Sequence, residues 1–405
     1  MKAVVFHGVG DIRLDNVAEP KLETSTDAVV RVTTAAICGT DLHFVRGTVP
    51  GMRPGTILGH EAVGVVEEVG RGVRNHVPGE RVLLSAVLGC GSCAYCRAGY
   101  FAQCDEINPA GRRAGSAFYG ATSASGSFDG TQAEYVRVPC AHTNMFTLPD
   151  SVSDDQAIAL ADIYPTGYFG AVIANVSDGD VVAVFGCGPV GQFAVLSAFQ
   201  RGAGRVIAVD HHPDRLERAR ALGAEIVDFD QEEPVEALLE LTLGVGPDRA
   251  IDAVGVDAES AKAGPAAAEA RSHEAENRDE LRTIAPVTNA HDGQWQPGGA
   301  PTQVGSWAVD SLAKAGTLGI VGVYPPSDKF FPLGTAFNKN LKLNMGNGNH
   351  PRYIPRLLSM VEQGAVDTER MLTQHEPLTD VLTGYREFDR RSPGWLKVAV
   401  TPSAS

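Results

Sequence analysis

The sequence predicts an α/β fold in which a doubly wound parallel sheet joins a β-rich domain. Three observations point there. Short apolar runs alternate with amphipathic segments between residues 181 and 324. A G-x-G-x-x-G turn closes the first of those runs and opens the segment behind it. The first 150 residues instead hold short Val-rich runs separated by irregular, Gly-rich stretches. The chain has 405 residues, too many for one ordinary core and suited to two domains.

In chain order, MKAVVF, AVVRVTTAAI, AVGVVEEVG, RVLLSAV and AEYVRVP read as strands closed by Gly, Pro or Asp. The pattern changes near residue 153. Ser153 caps a helix with Asp154 and Asp155 in its first turn, and apolar positions run on through Ile173. Then VVAVF (181–185), RVIAVD, EIVDF, RAIDAVG and TLGIVGVY read as strands. QFAVLSAFQRG, PDRLERARALG, VEALLELTLG and SWAVDSLAKAG read as the helices between them. Such alternation requires parallel strands with right-handed crossovers. Residues 256–302 interrupt it with a polar, Ala/Glu-rich, weakly helical segment and then a loop. A segment of this length is either a flap over a cofactor or a loose surface insert. Beyond it, YIPRLLSMVEQG and LTDVLTGYREFDRR read as helices and WLKVAVTP as a strand.

Hydrophobic residues make up 43 % of the chain and charged residues 20 %, a folded, soluble composition. No apolar run reaches the roughly 18 residues of a membrane span. The start, MKAVVFHGVG, lacks a long apolar core, so no secretory signal and a cytoplasmic location are expected. With 34 Lys and Arg against 49 Asp and Glu, the net charge is −15. That charge argues against nucleic acid or an anionic membrane as partner. Seven cysteines, an odd number, suit a reducing compartment, where clustered cysteines serve as metal ligands more often than as disulfides.

VVAVFGCGPVGQFAVL carries the glycine turn: Gly186, Gly188 and Gly191, with Pro189 and Val190 opening the helix. Following a strand and preceding a helix, it is the dinucleotide fingerprint of a Rossmann domain. Gly186 permits the tight turn, Gly188 lets backbone approach a pyrophosphate, and Gly191 lets helix and strand pack closely. Asp210 ends the next strand, where a carboxylate accepts from a ribose diol and repels a 2′-phosphate, favouring NAD over NADP. Arg215 stacks near the adenine, pairs with Asp210, or is simply a solvated helix residue. His211 and His212 adjoin Asp210 and are candidates for the adenosine end, as His350 in GNGNHPR is for cofactor or substrate.

CGSCAYCRAGYFAQC spaces Cys90, Cys93, Cys96 and Cys104 as C-x2-C-x2-C-x7-C. Four thiolates in one loop form a closed tetrahedral zinc site, which is structural because no coordination place is left for substrate. An iron–sulfur cluster or a pair of disulfides are the competing readings.

Three further segments carry potential ligands: Cys38, Thr40, Asp41 and His43 in CGTDLH, His60 and Glu61 in GHEAVG, and Asp162 in ADIYPTG. Each alone has an ordinary reading as a core cysteine, a turn histidine or a surface carboxylate. Together and in this order, CGTDLH, GHEAVGVVEEVG, the four-Cys lobe, ADIYPTG, GCGPVG with Asp210, and VGVY resemble the zinc-dependent medium-chain alcohol dehydrogenase family over nearly the whole chain. The Asp in ADIYPTG, the AGSAFYG stretch and the insert after DAVG resemble its glutathione-independent formaldehyde dehydrogenase-like branch.

The resemblance implies two zinc ions and NAD. A catalytic zinc would be held by Cys38, His60 and Asp162, with Asp162 standing where the wider family often has a second Cys. Glu61 is implied as a transient ligand or as outer support, and Asp41 as the carboxylate orienting His60. Thr40 would accept the substrate's proton and His43 would pass it on. Thr166 would pack against the nicotinamide, and backbone at Gly322 and Val323 would meet its carboxamide. A GroES-like, irregular β-barrel catalytic domain would comprise residues 1–165 and 336–405, with the zinc lobe at 90–104. A Rossmann domain would comprise 166–335, with the site in the cleft between them and a homodimer or homotetramer as the assembly. The implied reaction is hydride transfer between a primary alcohol or aldehyde and NAD. An aldehyde dismutase with captive NAD and a polyol or secondary-alcohol dehydrogenase are the alternatives. A non-catalytic nucleotide binder would need none of Cys38, Thr40, His43, His60 and Asp162.

Overall fold

A computed structural model describes residues 1–109, 111 and 115–402. The chain divides into two units. One comprises Met1–Pro165, Thr288–Trp295 and Gly348–Ser405; the other comprises Thr166–Val287 and Gln296–Asn347.

The second unit is built on six parallel strands: β1 (Val181–Phe185), β2 (Arg205–Asp210), β3 (Glu225–Asp228), β4 (Arg249–Asp252), β5 (Thr317–Ile320) and β6 (Lys342–Met345). Their order across the sheet is β3-β2-β1-β4-β5-β6, the doubly wound arrangement with its switch point beside β1. The inner strands are near-continuous apolar runs because helices cover both faces. Val182 and Val184 pack into one core layer; Ala183 and Phe185 pack into the other. The helices after β1, β2 and β3 begin at Pro189, Pro213 and Pro234, each preset for a first helical turn and lacking an N–H that would go unused.

β6 carries the sheet past residue 336, where the sequence placed the return to the first domain. Lys342 to Met345 pair in register with Thr317 to Ile320. Their largely exposed sequence, KLNM, is that of an edge strand and has no apolar run to announce it.

The insert holds two helices, Gly264–Ser272 and Glu274–Ile284. Ala266, Ala267 and Ile284 are buried, so this part is packed rather than loose. Thr288–Trp295 belongs to the first unit instead. Trp295 is only 4 % exposed in that unit's core, and its backbone N–H donates to Asp389 Oδ2 at 2.7 Å. Asp389 Oδ1 accepts from buried Arg46 Nε at 2.8 Å.

The first unit's main sheet is mixed. Its order is Gln374–Pro377, Val398–Thr401, Ala28–Ile37, Ala62–Val69, Arg81–Leu84 and Met145–Thr147, with Tyr135–Val138 also pairing to Ala28–Ile37. The outermost pair, Gln374–Pro377 with Val398–Thr401, is parallel, and the other pairs are antiparallel. Register shifts in Ala28–Ile37 let that strand bend and serve several neighbours. Val30, Ile37, Leu84, Tyr385 and Val398 lie in its core. After Ser153, whose side chain accepts from Gln156 N–H, the helix stops at Ile158 and a second runs from Ile163 to Ile173. Ala114 of the AGSAFYG stretch lies outside the described residues.

Candidate metal centre and dinucleotide turn

Element ends deliver the first cluster. Ile37 closes the central strand of the mixed sheet, and Cys38 caps the helix Gly39–Arg46. His60 and Glu61 directly precede the strand Ala62–Val69. The turn before them needs Gly59: its φ is +92°, and a Cβ there would stand 2.5 Å from Gln132 Cγ. Asp162 directly precedes the helix Ile163–Ile173.

These junctions bring together side chains that are far apart in sequence. Cys38 Sγ and His60 Nε2 each lie 3.4 Å from Asp162 Oδ2. Ligand atoms of Cys38, His60, Glu61 and Asp162 all fall within 4.8 Å of one another. Asp41 Oδ1 lies 3.3 Å from His60 Nδ1, and Asp41 Oδ2 accepts from Cys38 N–H and Gln132 Nε2. The thiol, imidazole and carboxylate donors suit zinc, and Glu61 Oε1 is a buried oxygen with no hydrogen-bond partner among the described residues. The centre therefore fits a metal ion.

Burial opposes charge on every group here, and neighbours decide the outcome. It would depress His60, yet Asp41 and Cys38 hold that imidazole well above its usual value. It would raise Asp162, yet hydrogen bonds from His350 and His60 hold that carboxyl well below. Glu61 is pushed up to about 7 by burial, against the pull of Lys397.

Two residues complete the centre. His350 Nε2 lies 2.8 Å from Asp162 Oδ1, and its Nδ1 lies 3.1 Å from Gly348 O. It therefore engages one Asp162 oxygen and leaves the other facing Cys38 and His60. The sequence marked His350 only as a general candidate, because 188 residues separate it from Asp162. Lys397 and Glu61 form an ion pair in which both side chains are 0 % exposed. Lys397 Nζ also donates to Ile37 O at 3.0 Å. Its one signal in the sequence is a lone charge inside the apolar run WLKVAV.

Thr40 Oγ1 lies 4.0 Å from Cys38 Sγ. His43 is buried on the same helix, its Nδ1 2.8 Å from Thr48 Oγ1.

The four-cysteine lobe also closes. Ligand atoms of Cys90, Cys93, Cys96 and Cys104 lie within 4.8 Å of one another. Backbone N–H groups of Ser92 and Cys93 donate to Cys90 Sγ, that of Cys96 to Cys93 Sγ, and that of Cys90 to Cys104 Sγ. All seven cysteines are free, which overturns the disulfide reading of this lobe. Four sulfurs so arranged fit one tetrahedral ion.

In the second unit, Gly186 has φ +88°, and a Cβ on Gly191 would stand 1.8 Å from Gly186 O. A Cβ on Gly188 would meet nothing nearer than Arg215 Nη1 at 3.9 Å. The turn is thus crowded at Gly191 and open at Gly188, at the N-terminus of the helix Pro189–Gln200, a cradle fit for a pyrophosphate. Asp210 accepts from Cys187, His211 and His212 N–H at 2.6, 2.7 and 2.9 Å. Burial opposes its charge, but Arg215 and His212 outweigh it and keep the carboxyl low. Arg215 thus acts on Asp210 by charge. Val323 O accepts from Val256 N–H at 3.1 Å, which fixes the backbone beyond β5 beside Gly255 and Gly322. Thr166 lies within the helix Ile163–Ile173, at the start of the second unit.

Residues 24–150 match the alcohol dehydrogenase GroES-like domain, and residues 189–269 match the zinc-binding dehydrogenase family. A zinc-type alcohol dehydrogenase-like protein of Bacillus subtilis is 35 % identical over 406 residues, 99 % of this chain and 100 % of that protein. The glutathione-independent formaldehyde dehydrogenase of Pseudomonas aeruginosa is 33 % identical over 416 residues, 97 % of this chain and 96 % of that one. The solved alcohol dehydrogenase TADH from Thermus sp. ATN1 superposes with a TM-score of 0.80 at 33 % identity, covering 99 % of both chains. With this fold and these donor sets, the chain belongs to the zinc-type medium-chain alcohol dehydrogenases and is a zinc-dependent oxidoreductase of that family.

Proposed function

We propose that the chain is an NAD-dependent dehydrogenase acting between a primary alcohol and its aldehyde, with formaldehyde among its substrates. The observation that carries this reading is the convergence of Cys38, His60, Glu61 and Asp162, with Glu61 Oε1 left without a hydrogen-bond partner among the described residues. Zinc bound there supplies Lewis acidity toward the alcohol or carbonyl oxygen, and NAD supplies the hydride acceptor. Cys38, His60 and Asp162 are the resident ligands, and Glu61 the exchangeable one. Asp41 orients His60, and His350 orients Asp162. Thr40 takes the substrate's hydroxyl proton and His43 passes it toward solvent. Asp210 favours a free ribose diol, hence NAD, while Gly186, Gly188, Pro189, Val190 and Gly191 frame the pyrophosphate. Thr166, Gly322 and Val323 bound the nicotinamide. Cys90, Cys93, Cys96 and Cys104 hold a structural zinc. The 33 % identity to the Pseudomonas formaldehyde dehydrogenase, spread over 97 % of this chain, supports the narrower substrate.

A second reading, an aldehyde dismutase that keeps its NAD, is favoured by the packed insert, whose buried Ala266, Ala267 and Ile284 do not suit a loose loop. One experiment separates the two. Protein dialysed free of loose cofactor is given primary alcohols, secondary alcohols, polyols and formaldehyde, with and without NAD, while NADH is followed at its absorption band. NADH formation that requires added NAD and favours primary alcohols or formaldehyde is the expected result. Formaldehyde consumed without added NAD and without net NADH would establish the dismutase. Preference for polyols or secondary alcohols would overturn the substrate assignment.

A further inference from the structure

A second group of metal-type donors lies at the end of β2, in the unit that carries the glycine turn. His211 Nε2 and His212 Nε2 approach the same oxygen, Glu259 Oε2, at 3.0 and 2.9 Å. Glu259 comes from the first residues of the insert. We propose that His211, His212 and Glu259 form a site for a divalent ion of the zinc class, separate from both cysteine-containing centres, that fastens the insert to the nucleotide-binding sheet.

The donor chemistry is right for such an ion: two imidazole nitrogens and one carboxylate oxygen, with a place left for water. The spacing is right as well. Bonds of about 2.0–2.1 Å in a tetrahedron put ligand atoms roughly 3.3 Å apart, so the contacts of 3.0 and 2.9 Å from Glu259 Oε2 to the two imidazoles need open by only a few tenths of an ångström, and His211 and His212 themselves offer donor atoms within 4.8 Å of each other. The outer partner is also in place. The other nitrogen of His211, Nδ1, lies 3.0 Å from Asp230 Oδ2, the carboxylate–histidine arrangement that fixes tautomer and ring orientation at metal sites. Asp230 is itself held, because its Oδ1 accepts the backbone N–H groups of Lys262 and Ala263. The His211 ring stacks on Phe229 with centroids 4.4 Å apart and planes 16° apart, and Phe229 packs on Trp307. His211 is therefore fixed from three sides and more than nine-tenths buried.

Asp210 has a ligand atom within 4.8 Å of both histidines, but its oxygens already accept three backbone N–H groups. It stays with the ribose, and the ion takes Glu259 instead. Without the ion, hydrogens on the imidazoles bridge to the carboxylate. Uptake of M²⁺ exchanges those Nε2–H bonds for metal–nitrogen bonds, sends the protons to solvent and leaves every other covalent bond of the chain intact. This site does not depend on the catalytic reading above, since none of its residues belongs to the Cys38 centre.

The test counts ions. The full chain is stripped of metal, reloaded with excess zinc or cobalt chloride, freed of unbound ion and analysed by mass spectrometry. The expected result is one ion per chain more than in a His211→Asn/His212→Gln variant, with cobalt bands from nitrogen and oxygen ligands lost in the variant and thiolate bands kept. Because the double variant removes a buried stack, Glu259→Gln and Asp230→Asn are measured beside it. Both leave the His211–Phe229 contact in place; Asp230→Asn should weaken that ion roughly 10- to 100-fold, and Glu259→Gln, which removes a ligand, more than that. Equal ion counts in parent and Glu259→Gln, with no change in cobalt bands, would overturn the site and leave an ion-pair clamp only.

Discussion

At the scale of single residues, the centre depends on groups that act through its ligands. His350 spends its Nε2 on one oxygen of Asp162 and so aims the other. Replacing it by Ala should weaken zinc at the Cys38 centre 10- to 100-fold, as competition with a chromophoric chelator would record. His350→Gln, which keeps a donor, should recover part of the loss. The Glu61–Lys397 pair behaves differently. Lys397→Met leaves a carboxylate buried without its cation and should cost about 3–5 kcal/mol in urea unfolding. The double variant Glu61→Leu/Lys397→Met should recover most of that, because a well-packed apolar pair of similar volume leaves no charge to compensate. Sequence reasoning reached Cys38, His60 and Asp162 because each sits in a short recognisable segment. It did not reach the roles of His350 and Lys397, whose partners lie 188 and 336 residues away and leave no local pattern.

At the scale of elements, the glycine turn divides into positions that serve packing and positions that serve a ligand. Gly191→Ala drives a Cβ to 1.8 Å from Gly186 O and should destabilise the second unit by about 1–3 kcal/mol or more. Gly188→Ala meets no protein atom within 3.5 Å and should melt near the parent temperature while binding NADH more weakly. Melting curves and NADH fluorescence titrations on the two variants would separate the roles. The four-cysteine lobe has a different dependence. Its loop contributes little apolar core besides Phe101 and Ile107, so chelation should expose 90–104 to protease while the parallel sheet holds. Most elements were legible because their apolar period is strong: β1 and β2 are buried runs and the helices behind them open at proline. β6 was not, since an edge strand with exposed Lys342 and Met345 carries no such period.

At the scale of the molecule, neither unit is continuous in sequence. The chain passes from one unit to the other after residues 165, 287, 295 and 347. Trp295 shows what the middle excursion contributes: its side chain fills the first unit's core and its backbone N–H donates to Asp389. Trp295→Ala should cost about 3–5 kcal/mol in that unit, measurable as an earlier melting transition. The sequence located the insert by its break in rhythm but could not say that eight of its residues rejoin the first unit. The strand Val398–Thr401 carries the same discontinuity into the chain's synthesis. It pairs with Ala28–Ile37, and Lys397 just before it neutralises Glu61. Everything the parallel sheet needs has left the ribosome once residue 345 is clear, so that unit can fold while translation continues. The N-terminal residues, though made first, must wait for the last strand before their sheet closes and Glu61 is neutralised. A nascent chain stalled just short of residue 397 should therefore hold a protease-resistant second unit and a first unit that is still open.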